Sequence, residues 1–270
     1  MCGRSQSRRQ LHERIQCSVL RERNHLTILA IVSIIFVATL IRSAFGFGEA
    51  LLAVPLLAFL IPIGVAAPLA VLASITIAAV VVAQDWRHIH LLSTGWLVVS
   101  TLAGIPLGLL LLTSTHQHAV KALLGVIIIG FSAYSLYSLM SPAPLELKHD
   151  SRPWLLICGF CAGILGGAYG MNGPPLAIYG TVRRWSAQQF RATLQGYFLP
   201  ASIIGMSGYW LAGLWTRPVT RYYLISLPGI LLGIFAGRVL NRRLHDRNFA
   251  KYIYVGLIAI GVLLLGQALS

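Results

Sequence analysis

The sequence predicts an all-α polytopic membrane protein with about 8–10 transmembrane segments in two inverted repeats, with glycine-broken or half helices. Hydrophobic residues make up 57% of the 270 residues and charged residues only 10%, a balance that a water-soluble domain of this length does not tolerate. A glycine-rich motif inside a long apolar run occurs twice, at 43–55 and 167–179. Broken elements at corresponding positions of two halves are typical of secondary transporters.

Apolar stretches follow one another along the chain, five in each half. Most exceed the roughly 17 residues needed to cross a hydrocarbon core, and their continuous apolarity indicates helices. The stretch 173–182 is the exception, because its ten residues reach only about 15 Å as a helix. We expect a half-helix there, with Pro174 and Pro175 at its first positions. The stretches are 26–47, 50–63, 65–83, 92–112, 118–140, 154–171, 173–182, 192–214, 221–240 and 252–269.

The chain divides into four parts: a basic N-terminal tail at 1–25, a membrane repeat at 26–140, a linker at 141–153 and a second membrane repeat at 154–270. The linker is the longest polar and proline-rich stretch between apolar segments, as expected of a connection between repeats. Within the two motifs, Ala44 and Ala168 lie 124 positions apart, as do Gly46 and Gly170. This constant offset indicates duplication of a membrane unit.

The net charge of +14 does not predict a nucleic-acid partner, because the basic residues lie in the tail and in short loops, where they act as topology signals. Basic clusters at 183–191 and 238–251 predict cytoplasmic loops, which leaves the C-terminus outside. The tail does not fit this topology. Its six arginines predict a cytoplasmic tail, whereas the same count of crossings places the tail outside. Three explanations stay open: the first segment pair crosses only once, the tail forms a basic surface helix, or the start codon is assigned too early.

Two charged residues, Arg42 and Glu49, flank the first glycine motif deep in an apolar context. A charge at the centre of a membrane helix costs about 2.5–3.5 kcal/mol, so such residues are usually functional or paired. Arg42 could supply positive charge to an anion site, with Glu49 fixing its position or exchanging a proton. A structural ion pair, or an arginine that reaches to the lipid headgroups, is the alternative. The matching positions of the second half hold Gly166 and Gly173, so a charged site would be asymmetric.

The glycine breaks add a second attraction for anions, because free N–H groups and the positive end of a new helix converge where one helix stops and another starts. Helices starting near Ala50 and Pro174 would point at a shared cavity, to which Asn172 adds an amide. We therefore expect no catalytic and no metal-binding residues, but a set of substrate-binding residues. These are Arg42, Gly46, Phe47, Gly48, Glu49, Gly170, Asn172, Gly173 and Pro174.

Other motifs favour neither an enzyme nor a cofactor. The pairs His88/His90 and His116/His118 have a spacing that does not suit one face of a helix, and no carboxylate or cysteine cluster completes a metal shell. Cys158 and Cys161 lie inside an apolar helix, where packing is the expected role. A phosphate-binding Gly-x-x-x-x-Gly-Lys-Ser/Thr loop is absent from the sequence, which argues against an ATP-driven pump.

At Ala44–Leu57 and again at Gly163–Pro175 the chain resembles the TauE/SafE family of sulfite-exporter-like permeases, over about residues 26–269. The resemblance implies a duplicated membrane unit and transport of sulfite, sulfonates or related organosulfur anions across the bacterial inner membrane. Arg42 and Glu49 depart from it, since many members have small or apolar residues there.

We therefore expect a secondary permease for a small anionic substrate, embedded in the lipid bilayer of the bacterial inner membrane with a periplasmic C-terminus. The small-residue helix faces would allow a homodimer. Three alternatives stay open: a permease for a carboxylate, a membrane-embedded metal-handling protein or enzyme that uses the histidines, and an assembly factor that transports nothing.

Overall fold

The structure, a computed structural model, describes residues 26–44, 46–85, 91–114, 117–140, 152–182, 187–243 and 247–269. In these ranges the regular elements are α-helices, ten in all. They are α1 Leu26–Ala44, α2 Glu49–Leu57, α3 Ile63–Asp85, α4 Leu91–Ser114, α5 Gln117–Met140, α6 Arg152–Tyr169, α7 Gly173–Val182, α8 Ala187–Leu211, α9 Arg217–Arg243 and α10 Arg247–Leu269.

Five of these helices contain segments long and apolar enough to cross a membrane. The segments are Leu26–Ala44, Ile63–Gln84, Thr94–Thr113, His118–Ser138 and Arg217–Leu240, and two shorter apolar ones are Pro153–Tyr169 and Tyr254–Ala268. Hydrocarbon offers no partner to a free backbone N–H or C=O, so a helix that satisfies both internally is the solution for each segment. The prediction of an all-α polytopic membrane protein is confirmed.

Short helices occur in both halves. The half-helix expected at 173–182 is α7, Gly173–Val182. The expectation that this element is the only exception is wrong, because α2 has nine residues and therefore reaches only about 14 Å. The short length of α2 was not apparent from the sequence, because the apolar stretch 50–63 also includes the turn at 58–62 that joins α2 to α3.

Contacts at the helix ends show which ends share a face of the bundle. The start of α3 at Gly64 lies against Leu214, in the turn between α8 and α9. We call this end the Leu214 face. At the opposite ends of the same two helices, Gln84 accepts a hydrogen bond from Arg238. We call that end the Arg238 face, and it follows that α3 and α9 run in parallel.

The first helix starts toward the Leu214 face. It runs parallel to α9, because Val32 of α1 lies against Gly229 and Ser43 lies against Gly237. From the break after α1, α2 turns back toward the start of α3, so α1 and α2 form a hairpin that leaves and returns to the Leu214 face. This path does not fit the explanation that the pair crosses only once, and the tail at 1–25 lies outside the described residues.

The second half starts from the opposite face. Helix α6 runs parallel to α4, because Gly159 lies against Leu97 and Gly167 against Ile105, and α4 starts where α3 ends. The packing partners of the two halves also correspond when α1–α5 are matched in order with α6–α10. The contact of α4 with α6 then corresponds to that of α9 with α1, and the contact of α4 with α8 corresponds to that of α9 with α3. These contacts are what two inverted units would produce, although the repeat itself stays a prediction.

Glycines allow two pairs of helices to touch through their backbones. In the α4–α6 seam, a Cβ at Gly104 or Gly108 would collide with the backbone of α6, and one at Gly163 or Gly167 would collide with that of α4. The α1–α9 seam is built in the same way, since a Cβ at Gly237 would collide with the backbone of α1. Such close approach is the usual basis of helix association in lipid.

Candidate functional site

The first helix break is a glycine turn. Gly46 and Gly48 have φ angles of 89° and 102°, a region in which L side chains are strained. The chain leaves α1 after Ala44, with the N–H of Gly46 donating to the carbonyl oxygen of Arg42 at 2.6 Å. It then starts α2 at Glu49, so that Arg42 and Glu49 lie on either side of the turn.

The second break uses the same device at the end of α6. Gly170 has a φ angle of 69°, and its N–H donates to the Gly166 carbonyl oxygen at 2.8 Å, while the N–H of Met171 donates to that of Leu165 at 3.2 Å. These two bonds satisfy the carbonyls of Gly166 and Leu165 near the end of α6. The chain then starts α7 at Gly173, as the sequence predicted.

The two breaks meet at one cavity inside the bundle. It holds about 20 Å³ of free space, comparable to the room that a single water molecule needs. Eight of the nine predicted site residues line it, and Gly46 is the ninth, with its carbonyl oxygen accepting from Gln195 Nε2 at 2.8 Å. The lining residues are Arg42, Phe47, Gly48, Glu49, Ala50, Leu51, Ser74, Gly170, Met171, Asn172, Gly173, Pro174, Phe198 and Ser202.

Arg42 is the centre of the cavity's polar network. Its side chain is only 4% exposed, and Nη1 lies 2.6 Å from Oε2 of Glu49, whose side chain is 1% exposed. Nη1 also donates to Ser74 Oγ at 2.5 Å, and Nη2 donates to Gln195 Oε1 at 3.1 Å. The guanidinium carbon lies 4.7 Å from the centre of the Phe198 ring. Residues of α1, α2, α3 and α8 thus hold one positive charge in place.

The ion pair leaves hydrogen-bonding capacity unused. Nε of Arg42 and Oε1 of Glu49 are both buried, and neither has a hydrogen-bond partner among the described residues. Leaving a buried polar atom without a partner costs about 1–3 kcal/mol. The pair is therefore strongly bound yet incompletely satisfied, a condition more typical of a functional site than of a purely structural contact.

The two short helices contribute unequally to the electrostatics of the cavity. The first N–H groups of α2 have no partner within the helix, and Glu49 in its first turn lies at the positive end of the helix dipole. Helix α7 begins Gly173-Pro174-Pro175, and prolines have no N–H to donate. At this second start fewer backbone N–H groups are available, and the side chain of Asn172 lines the cavity beside them.

Asn172 is held by the helices around it. Its amide oxygen lies so close to Gly166 that a Cβ there would collide with it, and its side chain forms a hydrogen bond with Tyr197. The Tyr197 hydroxyl lies 2.7 Å from Thr101 Oγ1. Gly166 is the counterpart of Arg42 in the duplicated motif, and here its missing side chain makes room for Asn172.

Besides the apolar lining residues Ala50, Leu51 and Met171, sequence reasoning missed four side chains that contact the cavity or Arg42: Ser74, Gln195, Phe198 and Ser202. Ser202 Oγ donates to Ser74 Oγ at 3.3 Å, which links α3 and α8 across the cavity. These two serines lie 128 positions apart, within the range of offsets that the duplicated motifs show. The matching offset was the signal that could have found them.

The histidines and cysteines lie apart from this cavity or outside the described residues. Cys158 is partly buried and Cys161 exposed on α6, both as free thiols. His118 lies near the start of α5, whereas His88, His90 and His116 fall outside the described ranges. Within those ranges, no group of three or more His, Cys, Asp and Glu side chains is arranged to hold a metal ion.

Comparison with known proteins identifies one family. The family model described as "Sulfite exporter TauE/SafE" matches residues 31–264, which include both glycine breaks and the whole cavity. No curated protein and no solved structure matches the chain.

Proposed function

Since the chain belongs to the sulfite exporter TauE/SafE family of membrane transporters, which are not enzymes, we propose that it is a secondary permease for sulfite or for organosulfur anions such as sulfonates. The family membership and the membrane-crossing helices support a multi-pass permease. The observation that carries the choice of an anion is the positive charge of Arg42 inside the cavity where both glycine breaks meet.

The groups around Arg42 suit an oxyanion. A guanidinium presents N–H donors in a planar fork that matches two oxygens of one anion. Hydroxyls of Ser74 and Ser202 and the amide of Asn172 also line the cavity and can donate to further oxygens. The start of α2 adds unpaired N–H groups and the positive end of a helix dipole.

The cavity implies that transport requires a change of conformation. At about 20 Å³ it is too small for an oxyanion such as sulfite, so the described conformation corresponds to a closed state. The α4–α6 and α1–α9 seams are the natural places for movement, because backbone contacts through glycine leave few side chains to disengage. Rocking about these seams would open the cavity alternately to the two faces.

We assign the Arg238 face to the cytoplasm of a bacterial cell, with the protein in the inner membrane. The described helices that end or start at this face carry Arg238, Arg242, Arg243, Arg247 and Lys251. At the Leu214 face the first turns of α5 and α9 carry Lys121, Arg217 and Arg221. With this assignment, based on the positive-inside rule, we expect the end of α10 in the periplasm.

A carboxylate permease is the second candidate, and a specific contact favours it. Arg42 already holds one carboxylate, that of Glu49, at 2.6 Å. A carboxylate substrate could use the same nitrogen, Nη1, together with Nη2, because carboxylates and sulfur oxyanions share this geometry.

Flux measurements on the purified protein in proteoliposomes separate these candidates. The panel contains sulfite, sulfate, sulfoacetate, taurine and acetate, each supplied at the same concentration and tested both for uptake and for competition with labelled sulfite. The proposal requires selective flux of sulfite or a sulfonate. Preferential flux of acetate would support the carboxylate permease, and no flux of any anion would refute both.

A further inference from the structure

Glu49 lies where an oxygen of a bound anion would have to be. Its Oε2 atom is 2.6 Å from Nη1 of Arg42, Nη2 donates to Gln195 Oε1, and the guanidinium lies over the Phe198 ring, while Nε has no partner among the described residues. An oxyanion that pairs with both Nη1 and Nη2 of Arg42 must displace the carboxylate of Glu49 from Nη1. The residue and the substrate therefore exclude each other.

We propose that Glu49 and the transported anion alternate on Arg42, and that Glu49 takes up one proton whenever the anion binds. This inference rests on the proposed function and specifies its coupling: one proton accompanies each monovalent anion in the same direction. Glu49 thus takes the place of the substrate on Arg42 while the unloaded protein returns to the conformation in which it binds the next anion.

Charge balance is the physical reason for this exchange. In the unloaded site the charges of Arg42 and Glu49 cancel. If a monovalent anion entered beside a charged Glu49, one negative charge would be left unpaired in a buried site, at a cost of several kcal/mol. When a proton from the aqueous phase binds a carboxylate oxygen of Glu49, the ion pair breaks and the anion pairs with Arg42, so the loaded site is again neutral.

The atoms around Glu49 allow this step. Its Oε1 has no partner among the described residues, so an oxygen is available to carry the proton. The side chain also lines the cavity, which gives it access to the aqueous phase once the cavity opens. An ion pair with purely structural function would be expected to use all its oxygens.

The charged group that faces Glu49 in the described structure is Arg42, from α1. Helix α3 contributes the hydroxyl of Ser74 and helix α8 the amide of Gln195 and the Phe198 ring, which do not titrate. Helices α5 and α10 also pack on α2.

Those two helices contribute aromatic rings. Phe131 of α5 lies edge to face with Phe47 at 6.4 Å, and Tyr254 of α10 lies behind it at 6.2 Å from the Phe131 ring. Glu49 is therefore the group in the cavity to which we assign the gain and loss of the proton.

The test uses methanesulfonate, a monovalent anion that stays ionised over the whole pH range of the experiment and so cannot itself carry the proton. Proteoliposomes with clamped zero membrane potential receive a pH gradient, and the accumulation ratio of labelled methanesulfonate is measured together with the internal pH. One-to-one coupling predicts that the ratio rises about tenfold for each unit of imposed pH difference. A ratio that ignores the gradient while methanesulfonate is transported would overturn the coupling and leave the permease intact.

The variant Glu49→Gln separates coupling from transport. A glutamine cannot take up a proton, so the variant should exchange internal for external methanesulfonate while its accumulation ratio stays near one under the same gradient. Glu49→Asp should restore the gradient dependence, and Glu146→Gln, the same substitution in the predicted linker, should behave as the wild type. If Glu49→Gln does not fold, the wild-type ratio alone decides, and if wild type moves none of the sulfur anions, the proposed function itself fails.

Discussion

The ion pair between Arg42 and Glu49 should show strong thermodynamic coupling in a double-mutant cycle. Arg42→Gln leaves the Glu49 carboxylate buried with no opposite charge, and breaking a buried pair in this way costs about 3–5 kcal/mol of unfolding free energy. Glu49→Gln leaves the charge of Arg42 unpaired and should cost the lower end of this range, about 3 kcal/mol, because Arg42 keeps its hydrogen bonds to Ser74 and Gln195. In the double variant no buried charge is left unpaired.

The double variant Arg42→Gln/Glu49→Gln should therefore be more stable than the sum of the single effects predicts, by about 2–3 kcal/mol. The free energies come from reversible unfolding in mixed detergent micelles, followed by loss of helical circular dichroism. Arg238→Gln is the matched control: Arg238 is exposed and bonded to a neutral side chain, Gln84, so its effect should stay within about 0.5 kcal/mol. Additive effects of the two cavity substitutions would refute the conclusion that the buried charges of Arg42 and Glu49 stabilise each other.

Three further predictions concern the glycines and the cysteines. Gly104→Ala should cost about 1–3 kcal/mol of stability and reduce anion flux, because its Cβ collides with the backbone of α6, whereas Gly130→Ala meets nothing within 4 Å and should be neutral or slightly stabilising in the same unfolding assay. Gly170→Ala should cost about 1–2 kcal/mol from its φ of 69° alone and lower flux in proteoliposomes. The variants Cys158→Ala and Cys161→Ala should keep wild-type flux, and loss of flux in either would contradict the packing role of these thiols.

The sequence predicted the glycine breaks because their requirement is local. A helix cannot continue through Gly46 and Gly48 at positive φ, and the duplicated motif marks the same event at Gly170. Charged residues are equally conspicuous, since an arginine and a glutamate inside an apolar run need a reason to be there. These local signals were sufficient to locate most of the cavity.

The residues that were missed depend on which helices meet. Gln195 and Phe198 belong to α8, 153 and 156 positions after Arg42, and nothing in the local sequence indicates that α8 passes over the first break. Serines such as Ser74 and Ser202 are also common in packed membrane helices, where they need no role in binding. Tertiary packing brings Gln195 and Phe198 into the site, while the offset of 128 positions between Ser74 and Ser202 was the sequence signal for the two serines.

The most direct test of the account asks whether the guanidinium of Arg42 holds the transported anion. Exchange of labelled methanesulfonate is compared in proteoliposomes that contain Glu49→Gln or Arg42→Gln/Glu49→Gln, two variants that differ only at Arg42 and for which unfolding is measured in parallel. The account predicts that Glu49→Gln exchanges the anion and that the double variant, although folded, does not. Equal exchange by both folded variants would contradict the central claim.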